Sequence, residues 1–372
     1  MTIVHDAELM TVGPDEAVVT FRTDGEEQVT TRVDDTEVTT TGPYHHARVG
    51  GLEPGTEYRL DIEGAAPSDW LPASFVTLER PAGRLLATIA TANDVHFGEV
   101  ECGRLGDLGA EELGPILRSE PGEPPYPEVM NGAVIEEMRA LDPDVVVVKG
   151  DLTDAGDERE FEDFLNAYGS LGDRMQWVRG NHDVKTDPHF ADGYAPYAVH
   201  TDGVTLAVVD TVISGTDRGE LSAEQIGWLD DLAGSLSTPV LVFGHHHLWN
   251  LEADHRSGTY FGINPDDSEA LAAVVARREN IVGYFSGHTH RNRVRKFSSA
   301  RNMPFVEIAC TKDYPGAWAE YRVHEGGYTQ VVRRAAAPAA MKWSEKTRVM
   351  FAGLYRDYAL GPLHDRCFTE RF

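Results

Sequence analysis

The sequence is poor in cysteine and has no long apolar run. Its three cysteines, Cys102, Cys310 and Cys367, stand far apart and form no C-x-x-C pair. We therefore expect no disulfide scaffold and a reducing, cytoplasmic setting. The first 17 residues lack a basic start followed by an apolar core, and no apolar run reaches the length of a bilayer. Neither a signal peptide nor a membrane span is predicted.

Positive charge is scarce as well. Against 61 acidic residues stand 33 basic ones, giving a formal net charge of −28, and six of the basic residues are lysine. Because phosphate backbones bind positively charged surfaces, neither a nucleic-acid polymer nor an anionic membrane is expected as a partner. The hydrophobic content of 41% is enough for a sizeable core, so the chain is predicted to be globular.

The first 80 or so residues read as short alternating strands separated by turn residues, with no helical period. This pattern predicts a small antiparallel β-sandwich. Within it, "GLEPGTEYRLDI" (51–62) resembles the L-x-P-G-T-x-Y turn of fibronectin type III domains, in which the tyrosine hydroxyl, here that of Tyr58, bonds back to nearby backbone. We therefore predict a fibronectin III-like domain over residues 1–80. The predicted strands are 16–23, 27–34, 36–41, 44–51, 56–64 and 73–79.

After a short Pro/Gly hinge at 79–84, strands alternate with helices. This alternation predicts an α/β domain over 84–334 whose strands are buried on both faces. The tail, 335–372, is rich in aromatic residues, so we expect it to pack on a domain of its own chain or on a second subunit. Strands are predicted at 85–91, 144–150, 175–180, 204–211, 239–244, 281–287, 293–298, 304–310, 317–325 and 328–334, and helices at 127–141, 158–171, 222–236 and 268–278.

Several strands of the predicted α/β domain are followed by Asp, Asn or His side chains. Open α/β sheets bind ligands beyond the carboxyl ends of their strands, so these side chains are expected to converge there. Carboxylates and imidazoles without thiolates suit catalytic rather than structural metal ions, and seven ligands drawn from this set of ten would fit two ions that share a bridging carboxylate. The side chains are Asp94, His96, Asp151, Asp154, Asn181, His182, Asp183, His245, His288 and His290.

The order D-x-H, G-D, G-N-H-D, G-H, G-H-x-H is the signature of the calcineurin-like metallophosphoesterases, and this chain resembles them from about residue 84 to 332. The resemblance implies a four-layer αββα sandwich of two mixed sheets. It also implies roles for individual residues. Asp94, His96 and His290 would bind a first metal, Asn181, His245 and His288 a second, and Asp151 both, while His182 would be the catalytic histidine beside the substrate.

Two details separate the chain from the purple acid phosphatases, which also carry a fibronectin-like amino-terminal domain. Those enzymes place a tyrosine three residues after the bridging aspartate, where this chain has Asp154, and their first motif lacks a counterpart of His96. Instead, "GDLTDAG" resembles the G-D-x-x-D-x-G of phosphoprotein phosphatases, whose second aspartate orients the catalytic histidine. This implies an Asp154–His182 pair; the alternative is that Asp154 caps the helix that starts near Glu158.

The stretch from Val208 to Gly234, followed by "GHHHLW", is similar to bacterial class III cyclic nucleotide phosphodiesterases. This similarity implies a hydrolase of small phosphodiesters, of cyclic nucleotide or glycerophosphodiester type, in which a hydroxide bridging two divalent ions attacks phosphorus. Manganese or iron is the expected metal, with zinc, cobalt and nickel as alternatives. A phosphomonoesterase or protein phosphatase on the same core, and a binding protein on an inactive core, remain as alternatives.

Three consecutive histidines follow Gly244, and they are expected to differ in role. Since Gly244 ends its strand as Gly150 does before Asp151, His245 is expected to be the ligand. His246 is then expected to be a hydrogen-bonded structural histidine. His247 stands where many relatives have proline and, with Asn181 and His182, is a candidate substrate-binding residue. The loop 98–127 lies between two metal motifs and is expected to shape the substrate pocket.

Overall fold

The structure is a computed structural model that describes residues 2–104 and 114–372. Its amino-terminal part is all β, as the sequence predicts: five strands form one antiparallel sheet in the order β1-β2-β4-β5, with β3 also paired to β2. The prediction missed β1 and divided both β2 and β3 into two strands, because the turn residues Gly25 and Pro43 lie within continuous strands. The strands are Val4–Val12 (β1), Glu16–Val33 (β2), Thr36–Gly50 (β3), Glu57–Ile62 (β4) and Ser74–Val76 (β5).

The predicted tyrosine turn is present between β3 and β4. The backbone N–H of Glu53 donates to the Tyr58 hydroxyl over 2.8 Å, and the Tyr58 ring packs 6.0 Å from that of Phe75. This hydrogen bond closes the turn onto its own strand, which is how such a tyrosine stabilises a β-domain corner.

Two six-stranded sheets form the rest of the molecule. One has the strand order β13-β14-β12-β11-β10-β9 and the other β17-β16-β15-β6-β7-β8. Their strands are Leu85–Ala92 (β6), Val145–Lys149 (β7), Met175–Val178 (β8), Tyr197–His200 (β9), Thr205–Val208 (β10), Val240–Phe243 (β11), Ile281–Ser286 (β12), Arg293–Lys296 (β13), Pro304–Glu307 (β14), Ala317–His324 (β15), Gly327–Arg334 (β16) and Cys367–Arg371 (β17). The helices are Tyr126–Leu141 (α1), Glu158–Tyr168 (α2), Ala223–Ser235 (α3), Pro265–Arg277 (α4), Pro338–Thr347 (α5), Tyr355–Leu360 (α6) and Leu363–Arg366 (α7).

Alternation along the buried strands explains the four layers. In β11, Leu241 and Phe243 face the other sheet and share one apolar cluster with its residues, and Phe285 of β12 lies 4.6 Å from Tyr321 across the two sheets. Val240 and Val242 face the opposite way, into a second cluster with α3 and α4. The helices α1 and α2 cover the outer face of the second sheet. The predicted αββα architecture is therefore confirmed.

The carboxyl-terminal segment packs on its own chain. Trp343 of α5 stacks on Tyr126 of α1 with ring centroids 4.2 Å apart, and β17 extends the second sheet by pairing antiparallel with β16. Neither α5 nor β17 was predicted as an element, because the apolar residues of a short segment that packs against neighbours on several sides follow no single period. Within the described ranges, no helix is both long and apolar enough to cross a bilayer.

A buried carboxylate joins the amino-terminal sheet to the carboxyl-terminal segment. Glu8 of β1 is fully buried and accepts hydrogen bonds from the Tyr314 hydroxyl at 2.9 and 2.8 Å and from Arg348 at 2.6 Å. Arg348 also donates to Asp6 at the edge of the same cluster, at 2.6 Å. The charge of Arg348 is thus compensated by the buried Glu8, by the partly exposed Asp6 and by Glu345, whose carboxylate lies 3.9 Å from Nε of the arginine.

We expect Glu8→Gln to lower the free energy of unfolding by about 3 kcal/mol, because it leaves a buried guanidinium without its main counter-charge. Asp6→Asn is the matched control, since it removes a partly exposed partner of the same arginine and should cost about 1 kcal/mol or less. Urea unfolding followed by tryptophan fluorescence measures both. Equal effects of the two substitutions would contradict a special role of Glu8.

Candidate metal centre

The predicted ligands converge at the carboxyl ends of β6, β7, β11 and β12 and in the loop after β8. Asp94, His96 and His290 offer ligand atoms that all lie within 4.8 Å of one another, and so do Asp94, Asp151 and His245. His288 forms a further such group with His245 and His246. All of these side chains except that of His290 are buried. The structure therefore brings the whole predicted set together.

Asp151 lies between the two predicted halves of the site. Its Oδ2 is 3.5 Å from Nε2 of His96, and its Oδ1 is 3.4 Å from Nε2 of His245. Oδ1 of Asn181 lies 3.0 Å from the same His245 nitrogen. On the other side, Oδ1 of Asp94 lies 3.5 Å from Nε2 of His290. One carboxylate thus faces both groups of nitrogen ligands.

Most of the predicted ligands share a strained backbone conformation with positive φ. Non-glycine residues at positive φ are uncommon and each costs on the order of 1–3 kcal/mol. Such residues cluster where a fold holds side chains for function. Five of the seven predicted ligands have positive φ: Asp94 at 51°, His96 at 45°, Asp151 at 48°, His288 at 68° and His290 at 53°.

Close packing at the strand ends explains the glycines of the motifs. Gly150 has φ 85°, and a Cβ atom there would collide with the imidazole of His245. At Gly180 a Cβ atom would collide with the backbone and carboxylate of Asp151. A larger residue at either position would push apart two predicted ligands.

The donor set fits divalent metal ions. Both ring nitrogens of His96 and Nε2 of His288 are buried and have no hydrogen-bond partner among the described residues. Buried polar atoms are rarely left unpaired, so these nitrogens are available to bind an ion. Three kinds of donor meet here, carboxylate oxygen, imidazole nitrogen and amide oxygen, and together they suit borderline ions such as manganese, iron and zinc.

Without a metal ion, the carboxylates of this cluster favour the protonated forms of two predicted ligand histidines. Although burial opposes it, the carboxylates of Asp151 and Asp154 raise the pKa of His96 to about 10. Asp151 likewise raises the pKa of His245 to about 9 against the effect of burial. Burial and the neighbouring histidines lower the pKa of His288 well below its ordinary value. Metal ions bind the deprotonated ring, so they compete with protons at His96 and His245.

His182 lies beside this cluster and contacts Asp154, but not chiefly through the carboxylate. Its Nδ1 is 2.8 Å from the backbone carbonyl of Asp154 and 3.5 Å from the carboxylate Oδ1. Nζ of the exposed Lys185 lies 2.6 Å from the same Nδ1. The alternative role for Asp154 is wrong, because the cap of α2 is Asp157, whose side chain accepts from the backbone N–H of Arg159.

Asp183 was noted with its motif but given no role, and it holds two of the loops together. Its carboxylate accepts from the backbone N–H groups of Leu152, Thr153 and Gly180 at 3.1, 2.8 and 2.7 Å. The Thr153 hydroxyl adds a fourth bond of 2.7 Å. The aspartate of the G-N-H-D motif is therefore explained by the hydrogen bonds with which it connects these two loops. The motif itself was the sequence signal for this role.

The three consecutive histidines separate as follows. His245 lies in the ligand cluster. Nδ1 of His246 lies 2.9 Å from the Thr211 hydroxyl, as expected for a structural histidine, while its buried Nε2 has no partner among the described residues. His247 is not among the described residues that line the cavity, so its contact with the substrate stays a prediction. Its ring lies 6.1 Å from that of His288.

A cavity of about 700 Å³ opens over the cluster. Asp151, Asn181, His182, His288 and His290 line it, and Asp217, which sequence reasoning missed, does so as well. Asp217 accepts a hydrogen bond of 3.2 Å from Nδ2 of Asn181. The expected contribution of the loop 98–127 is seen at Glu99, Gly103 and Arg104, whereas residues 105–113 lie outside the described part of the chain.

Comparison with known proteins identifies the family to which this ligand cluster belongs. Residues 87–292 match the profile of the family described as calcineurin-like phosphoesterase. The chain belongs to this family. The matched region begins within β6 and ends after the G-H-x-H motif, so it holds every predicted metal ligand. Calcineurin-like phosphoesterases are hydrolases, and the resemblance stated from the motifs is confirmed.

Curated relatives of this phosphoesterase are bacterial. The chain is 26% identical over 189 residues to the glycerophosphodiester phosphodiesterase GpdQ of Enterobacter lignolyticus, an alignment that covers 46% of this chain and 65% of the relative. It is 32% identical over 175 residues to a cAMP/cGMP dual specificity phosphodiesterase of Mycobacterium tuberculosis, covering 43% and 53%. The matched region thus spans between about half and two thirds of these relatives.

Among solved structures, a dimetal phosphatase from Danio rerio superposes with a TM-score of 0.54 at 13% sequence identity. The superposition covers 68% of this chain and 97% of the phosphatase. At this identity the likeness concerns the fold alone, and it agrees with the two-sheet architecture described above.

Proposed function

We propose that this phosphoesterase hydrolyses small phosphodiesters at a pair of divalent metal ions. The observation that carries the proposal is the position of Asp151, whose two carboxylate oxygens face His96 and His245, one on each side. A single carboxylate between two groups of nitrogen ligands is suited to bridge two cations.

The residues that would hold the ions follow from this geometry. Asp94, His96 and His290 would hold the first ion, Asn181, His245 and His288 the second, and Asp151 both. When bound, such ions polarise phosphoryl oxygens as Lewis acids and make a coordinated water acidic enough to attack near neutral pH. Manganese and iron suit this donor set best, and zinc, cobalt and nickel are the alternatives.

His182 is the chain's own candidate for proton transfer. Its backbone N–H donates to Oδ1 of Asp151 over 2.9 Å, which keeps its imidazole next to the cluster and at the wall of the cavity. Nδ1 faces the carbonyl of Asp154, a hydrogen-bond acceptor, so Nε2, which lies 3.2 Å from Nζ of the exposed Lys185, is the nitrogen that would give a proton to the departing oxygen of the ester. Asp154 is thus a positioning residue, and Asn181 is a candidate for contact with the phosphoryl group.

The preference for a diester rests on the relatives. Those reported above are named as phosphodiesterases acting on glycerophosphodiesters and on cyclic nucleotides, and we propose one of these two classes as the substrate. A net charge of −28 agrees with a small ester rather than a polyanion. For the chain as a whole we propose an amino-terminal domain over 1–80, a catalytic domain over 84–334 and a carboxyl-terminal extension over 335–372.

A metal analysis and a substrate panel test the proposal together. We expect about two ions per chain after reconstitution with manganese, as two-metal phosphoesterase sites require, and faster hydrolysis of bis(p-nitrophenyl) phosphate than of p-nitrophenyl phosphate. Cyclic nucleotides and glycerophosphodiesters, assayed side by side, then separate the two classes. Preference for the monoester would indicate a phosphomonoesterase, and fewer than one ion per chain would indicate a binding protein.

A further inference from the structure

Most of one wall of the cavity, here called the apolar wall, comes from outside the region matched to the family. Residues 87–292 hold the predicted metal ligands, whereas five of the six residues of the apolar wall belong to the carboxyl-terminal segment. The apolar wall is completed by Phe261, whose ring stacks on that of His288 with centroids 4.1 Å apart. The residues of the apolar wall are Met350, Phe351, Leu354, Tyr355, Tyr358 and Phe261.

Hydrogen bonds attach the apolar wall to the site. The Tyr358 hydroxyl donates to the backbone carbonyl of Thr289, between His288 and His290, over 2.7 Å. The Tyr355 hydroxyl donates to Oδ1 of the buried Asp313 over 2.6 Å. The wall is therefore a fixed part of the cavity, and its position is coupled to the backbone that carries two predicted ligands.

Three side chains of the apolar wall are unusually exposed for their kind: Leu354 at 70%, Phe261 at 51% and Tyr358 at 44%. Single exposed apolar residues are common on protein surfaces. Three that line one cavity form a patch of the sort that binds ligands. An uncovered apolar wall next to a polar cluster suits a ligand with a phosphoryl group at one end and an apolar group at the other.

The charges on the remaining walls indicate that the apolar group of the ligand carries no negative charge of its own. Two Lys or Arg residues line the cavity among the described residues, and both are paired. Arg104 forms an ion pair with Glu101, and Lys312 forms one with Glu99. Asp217 and Asp313 add negative charge. A second anionic group on the substrate would therefore find no free cation in the described part of the cavity and would meet repulsion.

We propose that the apolar wall is a specificity subsite that binds an uncharged, ring-bearing group on the alcohol side of the phosphoester. The carboxyl-terminal segment, rather than the metal-binding loops, then decides which ester is used. This inference rests on the proposed function, since it requires the phosphoryl group to lie at Asp151.

Two diesters with the same leaving group test the subsite: phenyl p-nitrophenyl phosphate and methyl p-nitrophenyl phosphate. Metal-loaded enzyme is expected to prefer the phenyl ester in kcat/KM. Leu354→Ser should lower this preference by about 10-fold, the usual scale for losing apolar contact in a binding pocket. Val349→Ser is the matched control and should keep the preference, because Val349 is 60% exposed on the same segment but does not line the cavity.

A second readout does not depend on turnover. Calorimetry should give a lower Kd for phenylphosphonate than for methylphosphonate, and Leu354→Ser should reduce the difference while Val349→Ser should not. Hydrolysis of both esters with a preference that Leu354→Ser leaves unchanged would overturn the subsite and leave the proposed function standing. Failure of the metal-loaded enzyme to hydrolyse either ester would overturn the proposed function and the subsite with it.

Discussion

Asp151→Ala is expected to lose both metal ions together and, with them, all measurable hydrolysis. The physical reason is that its two oxygens face His96 and His245 separately, so removing the carboxylate takes a ligand and a negative charge from each ion. Asp151→Asn should also fail to hold both ions, because the nitrogen of a neutral amide does not coordinate a cation and the negative charge is lost. Elemental analysis after manganese reconstitution and gel filtration measures the ion content per chain.

Asp94→Ala is the control for this prediction. Asp94 groups with His96 and His290, so its loss should reduce the content from two ions toward one, whereas Asp151→Ala should approach none. Thermal unfolding of each metal-free variant checks that the fold is retained. Retention of two ions by Asp151→Ala would exclude a bridging role.

His182→Ala is expected to keep both ions and to lower kcat by about 10²- to 10⁴-fold, the usual contribution of a general acid. The loss should be larger for an alkyl diester than for a p-nitrophenyl diester, because an alkoxide needs a proton to depart and p-nitrophenolate does not. A merely structural role of His182 would reduce both rates alike. Parallel assays of the two ester types make the comparison.

His189→Ala is the matched control for this variant. His189 follows His182 by seven residues, is exposed and pairs with Asp192 at the surface, so its loss should change neither rate. A fall in metal content of His182→Ala would mean that His182 is a ligand, contrary to the assignment made from the motifs.

Local sequence predicted the catalytic layers well because each element there is periodic and buried. The four long helices and the strands that precede the ligands were expected close to where they lie, as at 145–149 and 240–243. Three strands were not expected: Val4–Val12, Tyr197–His200 and Cys367–Arg371. All three lie at the edge of their sheets, and the formation of an edge strand depends on the neighbouring strand it pairs with.

The candidate site, like the fold, has a part that the sequence predicted and a part that it did not. Asp94, Asp151 and His288 follow directly after strands or their terminal glycines, so the order of the motifs was enough to predict that they meet. The bond from His182 to the carbonyl of Asp154, rather than mainly to its carboxylate, was not predictable, because residue type carries no information about which oxygen a tight loop presents.

By itself, the sequence determined the family, because the family signature consists of short motifs at the ends of periodic strands, and the resemblance then implied the αββα layers and a set of metal ligands. Tertiary structure alone decided that His246 binds the Thr211 hydroxyl and that Glu8 binds Arg348, 340 positions away. It also decided that Leu354 and Phe261 share a cavity wall. Contacts between distant segments depend on how complete layers pack, and no local pattern of residues encodes that packing.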